Sequence, residues 1–326
     1  MSGFMNNGTW YTQETWSDER DGQFKRAPTT FRDVVSAKEG AAYAAEPGRY
    51  HLYVSYACPW AHRVLIARAL MGLEDVISVS VVHYDMGKDG WVFLPDDDPD
   101  ATPDHLFGSA YLRDVYLKAD SAYSGRVTVP VFWDRERQTI VNNESREIIR
   151  FLTDAFRPLA KNPDVDLAPE HLRPAIDAAI TSIYEPINNG VYKCGFAGTQ
   201  AAYEQAFEEL FEELDRWEGI LGAQRYMAGE VLTEADLCMF TTLVRFDAVY
   251  YVHFKCNGRL IMQYPNLSNY LREIYQLPGV KETVHMRHIT RHYYRSHTSV
   301  NPRRLVPVGP LDLAHLERAH DRGRFA

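Results

Sequence analysis

The chain has 326 residues, of which 45% are hydrophobic and 24% are charged, and its formal net charge at pH 7 is -9. These values are ordinary for a globular protein, and the length is sufficient for two domains. The negative charge disfavours a nucleic-acid partner, because phosphates require a basic surface, and no apolar run approaches the roughly 18 residues that a membrane-spanning helix needs.

The first 45 residues lack a periodic core pattern and carry scattered aromatic side chains, among them Trp16 and Phe24. We predict an N-terminal extension over residues 1–45 that covers the surface of the domain after it. Its start has neither the basic residues nor the apolar core of a secretory signal, so we expect a cytoplasmic protein. The four cysteines, at positions 58, 194, 238 and 256, are too scattered for a disulfide scaffold or a C-x-x-C zinc site.

Cys58 stands between a predicted strand and a predicted helix. Residues 50–56 alternate with the two-residue period of a strand, and residues 64–71 have helical spacing that ends at Gly72. Pro59 suits the first helical position because its missing N–H would have no partner there. Cys58 is therefore predicted at the N-cap, where the helix terminus favours a thiolate.

A thiolate at this position is a candidate nucleophile for covalent catalysis, and the alternative is a buried structural cysteine at a strand end. A dithiol enzyme would carry its second cysteine at position 61, which is Ala61. Redox chemistry at Cys58 must therefore be monothiol, and the second thiol must come from another molecule.

A second strand is predicted over residues 76–84, which are rich in β-branched side chains and complete a βαβ unit with parallel pairing. The following segment, 85–126, is a long loop with an acidic group at residues 96–100, and loops of this length are usually functional or insertions. A helix is predicted within it at 106–118. Trp91 lies just after the second strand, close enough in sequence to border the Cys58 site.

Residues 127–141 predict a hairpin whose first strand is interrupted by Pro130. A proline there marks either an edge strand or a cis bond, and a cis bond would offer the Val129 backbone to an extended ligand. The helix that follows is predicted to have Ser145 as its cap, and its N-terminus suits a carboxylate. Glu144 suits an ammonium group, so the pair matches an α-amino acid; a plain helix cap with an exposed acid is the alternative.

The segment 156–168 is rich in proline and aspartate and is the predicted domain boundary. The pattern beyond it is helical, with helices predicted over residues 170–184, 200–221, 231–251 and 267–277. Thr233 and Asp236 form a predicted capping box for the third of these. The tail from residue 303, which includes Pro310, is predicted to cover the helical domain or to contact a partner subunit.

Three histidines, at positions 285, 288 and 292, share one face of a predicted helix near the C-terminus. Arginines at 287, 291 and 295 alternate with them and would repel a cation, and no acidic residue lies among them in sequence. We therefore predict no metal site and favour a solvated or domain-bridging basic face.

The order of these elements resembles the glutathione transferase architecture, an α/β thioredoxin-like N-terminal domain plus an all-α C-terminal domain. The resemblance implies a thioredoxin-like glutathione-binding domain at 46–160 and an all-helical domain with a C-terminal tail at 165–326. Four motifs in order make the chain similar to the glutathionyl-hydroquinone reductases, the Xi-class glutathione transferases, over nearly its whole length. These are CPWA at 58–61, GVYKCGFA at 190–197, RFDAVY at 245–250 and RHYYRSH at 291–297.

The resemblance implies that Cys58 is the nucleophile and that Tyr192 is the proton donor and acceptor. Tyr250 and Tyr293 would lie near the cysteine and promote its ionisation. The residues that would hold glutathione are Trp91, Arg126, Val127, Thr128, Val129, Glu144 and Ser145.

The implied reaction is the reduction of a glutathionyl-hydroquinone through a mixed disulfide between Cys58 and glutathione, which a second glutathione resolves. Glutathione is the co-substrate, no metal or nicotinamide is needed, and a homodimer is expected. One alternative is an omega-like cysteine transferase with thioltransferase or dehydroascorbate reductase activity, and another is a non-catalytic assembly module. Cys58 with Pro59 argues against the module, and Tyr192 with Tyr293 favours the reductase over the omega-like enzyme.

Overall fold

The computed structural model describes residues 3–12, 21–26, 28–309 and 313–325, and the predicted features at Trp16 and Pro310 lie outside them. The strands are β1 (Phe4–Asn6), β2 (Thr9–Tyr11), β3 (Tyr50–Val54), β4 (Ser78–Val81), β5 (Val131–Asp134) and β6 (Thr139–Asn142). The helices are α1 (Pro59–Met71), α2 (Leu112–Ala119), α3 (Ser145–Phe156), α4 (Arg173–Ile183), α5 (Gly190–Gly195), α6 (Gln200–Ala223), α7 (Glu234–Arg245), α8 (Tyr251–His253), α9 (Pro265–Tyr275) and α10 (Met286–Ser296). Two π-helical segments are Tyr184–Asn188 and Phe246–Tyr250.

The described residues divide into two compact units. The first contains 3–12, 28–166 and 283–299, and the second contains 21–26, 167–282, 300–309 and 313–325. These units differ from the predicted domain ranges in two segments. The segment that carries α10 groups with the first unit instead of the helical one, and residues 21–26 of the predicted extension group with the second unit.

A four-stranded sheet in the order β4-β3-β5-β6 is the centre of the first unit. The pair β3 and β4 is parallel, which confirms the predicted βαβ unit, and β5 and β6 form the predicted antiparallel hairpin. All five residues of β3 are buried, as expected for a strand covered on both faces.

The proline of the hairpin precedes an interior strand. The Val129–Pro130 bond is cis, and β5 begins directly after it at Val131, between β3 and β6. The cis interpretation is therefore confirmed and the edge-strand alternative is wrong.

The helix predicted over 106–118 begins later, at Leu112. The Asp104 carboxylate accepts the backbone N–H groups of Leu106, Phe107 and Ser109 at 3.0, 3.3 and 3.1 Å, which folds this stretch into a turn. The buried Asp104 carboxylate thus accepts hydrogen bonds from backbone N–H groups that would otherwise take part in a helix. Helix α2 therefore starts only after Tyr111.

The second unit is helical, as predicted. Every residue of α7 is buried, and its capping box is formed by Thr233, whose N–H donates to the Asp236 carboxylate at 2.7 Å. The predicted helix at 170–184 ends in the π-helical segment Tyr184–Asn188, and the predicted helix at 231–251 is interrupted by the π-helical segment Phe246–Tyr250, which α8 follows directly. Among the described residues, no helix combines the length and hydropathy required to cross a membrane.

Candidate active site

Cys58 is the N-cap of α1, as the sequence predicts. Its backbone is extended, with φ -73° and ψ 123°, and Pro59 is in the first helical turn. The Cys58 carbonyl accepts the His62 N–H at 3.0 Å, the first turn of the helix. The half-buried thiol therefore lies at the positive end of the helix dipole, where a thiolate is stabilised.

The thiol contacts the loop before β5. The Sγ atom of Cys58 lies 3.6 Å from the carbonyl oxygen of Val129, to which it donates. This contact joins the predicted nucleophile directly to the residue predicted to pair with the glutathione backbone. Val129 itself is buried.

Two tyrosines hold the loop at 126–129 from the α2 side. The Tyr123 hydroxyl donates to the Arg126 carbonyl at 2.8 Å. The Tyr116 hydroxyl donates to the Thr128 carbonyl at 2.8 Å and accepts the Thr128 N–H at 3.2 Å. Sequence patterns do not reveal these bonds, because a tyrosine in a helix gives no indication of which loop its hydroxyl will reach.

The start of α3 differs from the prediction in its cap. Glu144, not Ser145, is the N-cap, and its side chain accepts the Arg146 N–H at 3.3 Å. The backbone of Glu144 is extended whereas Ser145 is already helical, so the predicted Ser145 cap is wrong. The Ser145 hydroxyl is buried and has no hydrogen-bond partner among the described residues, which leaves it available to an oxygen ligand at the helix N-terminus.

Trp91 and Tyr293 are connected through α10. The buried Trp91 ring stacks on His292 with 4.9 Å between ring centroids, and Tyr293 packs against the same imidazole edge-on at 5.4 Å. The His292 Nδ1 atom lies 2.8 Å from the Tyr84 carbonyl, and since a carbonyl only accepts, this nitrogen carries the proton. Burial lowers the pKa of His292 to about 4, so the imidazole is neutral near pH 7.

Carboxylates do lie among the histidines of α10, contrary to the expectation from sequence. His288 Nε2 is 2.6 Å from the Asp98 carboxylate, and Asp100 completes a group whose potential ligand atoms lie within 4.8 Å of one another. Arg287 forms ion pairs with both carboxylates, so the cluster already contains its counter-charge. Burial lowers the pKa of His288 to about 4.

A solvated face, one of the two forms predicted for this basic surface, is therefore wrong for His288 and His292. Both are buried, because the acidic loop at 96–100 and the residues that follow β4 fold against α10. Arg295 pairs with Asp85 in the same way, at 2.7 Å. The interaction partners are distant in sequence, which is why the local pattern suggested an exposed surface.

The second unit contains an aromatic cluster around Tyr192. Its ring is 5.3 Å from Phe254 and 6.2 Å from Tyr250, and Tyr250 stacks on Phe254 at 5.6 Å with an interplanar angle of 4°. Tyr192 is 9% exposed and Tyr250 is fully buried. Tyr192 and Tyr250, two of the predicted site tyrosines, are thus ring neighbours.

Two residues of the N-terminal segment complete this cluster and were not predicted as site residues. Phe24 stacks on Tyr192 at 6.1 Å, and the Arg26 guanidinium lies 5.0 Å from the Tyr192 ring centroid. Arg26 is held by the Asn189 side chain at 3.1 Å. The only signal in the sequence was the aromatic character of the extension, and nothing there indicated which helix it would contact.

The predicted site residues therefore form groups within each unit. Cys58 contacts Val129, and the hydrogen bonds of Tyr116 join the loop at 126–129 to the start of α3. Tyr293 and Trp91 pack on one imidazole of α10. Tyr192 and Tyr250 form the aromatic cluster of the second unit.

Two family models match the chain. The model described as "Glutathione S-transferase, N-terminal domain" matches residues 57–155, and the model described as "Glutathione S-transferase, C-terminal domain" matches residues 200–273. The first match contains Cys58, Trp91, Val129 and Glu144.

Relatives match nearly the whole chain. Glutathionyl-hydroquinone reductase PcpF of Sphingobium chlorophenolicum is 49% identical and is aligned over 94% of this chain and 96% of its own length. A Xi-class glutathione transferase structure from Natrialba magadii is 50% identical, with a TM-score of 0.92 over 100% of this chain and 98% of that one. The glutathione-bound structure of YqjG from Escherichia coli K-12 is 47% identical, with a TM-score of 0.89 over 98% of this chain and 99% of that one.

Proposed function

This chain belongs to the glutathionyl-hydroquinone reductases, the Xi-class glutathione transferases, and we propose on that premise that it uses glutathione to reduce glutathionyl-hydroquinones to hydroquinones. The observation that carries the proposal is the position of Cys58. Its thiol is at the N-terminus of α1 and contacts the Val129 carbonyl, so a nucleophile and a peptide-pairing backbone are adjacent.

The proposed reaction steps follow from a site with one reactive thiol, that of Cys58. The Cys58 thiolate attacks the sulfur that joins glutathione to the aromatic ring, and the sulfur–carbon bond breaks with its electron pair leaving on the ring. A proton from Tyr192 completes the hydroquinone, and Cys58 is left in a mixed disulfide with glutathione. A second glutathione thiolate attacks this disulfide, which gives oxidised glutathione and regenerates the Cys58 thiolate, while the proton of that thiol restores Tyr192.

We propose that glutathione binds along the first unit. The Val129 backbone pairs with the cysteinyl residue, the buried Ser145 hydroxyl and the first N–H groups of α3 receive the γ-glutamyl carboxylate, and Glu144 receives its ammonium group. The remaining contacts are assigned to Trp91 and Arg126–Thr128. The Ser145 hydroxyl, which has no hydrogen-bond partner within the described part of the chain, supports this arrangement, because a buried hydroxyl normally has a partner.

We assign the other tyrosines to the ring of the substrate and to the ionised sulfur. Tyr192 provides an O–H group within an aromatic cluster, which suits a hydroxylated aromatic leaving group. Tyr293 is proposed to donate a hydrogen bond that stabilises the Cys58 thiolate, and Tyr250 is proposed to promote the ionisation of that thiol.

The remaining properties are proposed from the chemistry and the family. The two glutathione sulfurs that are joined in the product disulfide, one from the substrate thioether and one from the second glutathione thiol, supply both electrons, so the proposed reaction requires neither a metal nor nicotinamide. A cytoplasmic location suits an enzyme that consumes reduced glutathione. A homodimer is the proposed assembly, and light scattering on a size-exclusion column measures it directly.

The test of the proposed function is turnover of glutathionyl-hydroquinone with glutathione. Wild-type protein should release hydroquinone and form oxidised glutathione in equal amounts, and Cys58→Ala should release none. Undiminished hydroquinone release by Cys58→Ala would refute the mechanism. Cys256→Ala is the matched control, because that thiol is buried and plays no part in the proposed reaction.

The omega-like alternative is distinguished from the proposed reductase by the substrates that it would reduce. An omega-like enzyme would reduce dehydroascorbate or a mixed disulfide through the same cysteine without needing Tyr192. We expect Tyr192→Phe to slow hydroquinone release and to leave any thioltransferase activity unchanged, since that reaction has no carbon leaving group to protonate.

A further inference from the structure

A buried tyrosine lies between the two peptide segments to which we assign glutathione. Tyr116 is on α2 and is fully buried. Its hydroxyl donates to the Thr128 carbonyl at 2.8 Å and accepts hydrogen bonds from the Thr128 N–H at 3.2 Å and from the Asn143 side-chain amide at 3.1 Å. A phenol has one donor and two acceptor positions, so this hydroxyl is fully used.

The two partners of this hydroxyl each adjoin a proposed ligand contact. Thr128 precedes Val129, whose carbonyl contacts Cys58, and Asn143 precedes Glu144, the cap of α3. The two segments flank the β5–β6 hairpin, in which Phe132 pairs with Asn142, and the Tyr116 hydroxyl joins them beyond this last strand pair. This hydroxyl thus links the cysteinyl-pairing backbone to the γ-glutamyl site.

The surroundings of Tyr116 restrict it to this position. Asn143 exchanges two hydrogen bonds with the Phe31 backbone, at 3.1 and 3.2 Å, so the amide that reaches Tyr116 is itself fixed. The Tyr116 ring packs edge-on against Phe31 at 5.9 Å between ring centroids and is tilted by 51° against Tyr123 at 4.9 Å. Burial also raises the pKa of the phenol, which keeps its proton available to the Thr128 carbonyl.

We propose that Tyr116 is a positioning residue for glutathione, which sets the distance between the Thr128–Val129 backbone and the start of α3. The inference rests on the glutathione site of the proposed function. Tyr116 contacts neither the tripeptide nor the reacting sulfur and acts through Thr128 and Asn143. Its contribution therefore belongs to the affinity for glutathione and not to the chemical step.

The test is Tyr116→Phe, which keeps the ring and removes the hydroxyl. We expect the KM for glutathionyl-hydroquinone, whose glutathionyl group occupies this site, to rise roughly tenfold, because a mobile loop must be ordered on binding, while kcat changes by less than about twofold. Tyr53→Phe is the matched control. Tyr53 is also fully buried in the first unit and donates one hydrogen bond, to Asp104 at 2.9 Å, so its loss should lower stability and leave that KM unchanged.

A direct measurement of glutathione binding distinguishes failure of this inference from failure of the proposed function. Titration calorimetry with glutathione alone should give a roughly tenfold higher Kd for Tyr116→Phe than for wild type, whether or not hydroquinone is released. An unchanged Kd and KM, or equal changes in Tyr53→Phe, would overturn the positioning role. If Tyr116→Phe does not fold, Asn143→Ala decides by the same criterion, since it removes the hydrogen bond to Tyr116 together with the one that Asn143 Oδ1 accepts from the Phe31 N–H.

Discussion

At the scale of single residues, two opposing influences act on the Cys58 sulfur. The N-terminus of α1 stabilises a thiolate, whereas the Val129 carbonyl at 3.6 Å accepts a hydrogen bond from the protonated thiol. A peptide N–H of bound glutathione would donate a hydrogen bond to the Val129 carbonyl. The Cys58 thiol would then lose its acceptor. Ligand binding and ionisation of the nucleophile are therefore expected to support each other.

Tyr192 is predicted to act in the chemical step. Tyr192→Phe should reduce the rate of hydroquinone release roughly 100-fold, because the departing ring loses its proton donor, while glutathione still binds. Single-turnover release of hydroquinone and calorimetric binding of glutathione measure the two effects separately.

Tyr203→Phe is the control for that experiment. It removes a tyrosine hydroxyl from the same unit, one that donates to the Lys255 carbonyl at 2.8 Å, and should release hydroquinone at the wild-type rate. A Tyr192→Phe variant that fails to bind glutathione, or that reacts at the normal rate, would show that the assigned role is wrong.

At the scale of elements, α1 must begin and end at defined residues to present Cys58. Its end is Gly72, with φ +67°, and a Cβ atom at that position would lie 2.8 Å from the Lys161 Cβ. Gly72→Ala should therefore lower the free energy of unfolding by more than the roughly 1–2 kcal/mol that a left-handed backbone costs a residue with a side chain.

Gly40→Ala isolates the steric part of that loss. Gly40 has a similar φ of +75°, but no atom of the residues that the structure describes lies within 4 Å of its added Cβ. Urea denaturation should show the smaller loss for Gly40→Ala. Equal losses in the free energy of unfolding for Gly72→Ala and Gly40→Ala would mean that the close approach of the added Cβ to Lys161 has no energetic cost.

Helix α10 is expected to make the stability of the protein depend on pH. In the folded protein His292 is neutral near pH 7, because burial lowers its pKa to about 4 from an ordinary value of 6.5. The nearby groups Asp85 and His288 also influence this pKa. Between pH 4 and pH 6.5 the unfolded chain therefore binds more protons than the folded chain. Stability is therefore complete above about pH 6.5 and falls progressively toward pH 4.

His292→Asn tests this dependence. Asparagine can keep a donor for the Tyr84 carbonyl, which accepts from Nδ1 at 2.8 Å, but it does not titrate. The urea midpoint should fall less on acidification in His292→Asn than in wild type, with the remaining decline due partly to His288. Identical declines in both proteins would exclude His292 as a contributor.

The elements that were predictable from sequence are those whose determinants are local. Cys58, Pro59 and Gly72 specify both ends of α1 within a short stretch, and Thr233 with Asp236 forms a capping box across one turn. The Ser145 cap was wrong by one residue because both Glu144 and Ser145 carry oxygen acceptors, and only the backbone conformation decides which one caps the helix.

The features that were not predictable depend on distant pairs. Arg287 and Asp98 are separated by 189 positions, and neither neighbourhood indicates the other. The contact of Phe24 with Tyr192 and the hydrogen bonds of Tyr116 arise in the same way. Hydroxyl and guanidinium groups reach partners that folding brings near, so they leave no periodic pattern in the sequence.

At the scale of the whole molecule, the described residues form two compact units with different contents. The first contains Cys58 and the groups assigned to glutathione, and the second contains the aromatic cluster of Tyr192. The family to which the chain belongs supports the covalent mechanism proposed for Cys58.

The most direct test of that mechanism is the intact mass of the protein after mixing with one equivalent of glutathionyl-hydroquinone and no added glutathione. We predict that about one equivalent of hydroquinone is released while one glutathionyl group is added to the protein, and that peptide mapping places it on Cys58. Hydroquinone release without an adduct, or an adduct on any of the other three cysteines, would contradict the account.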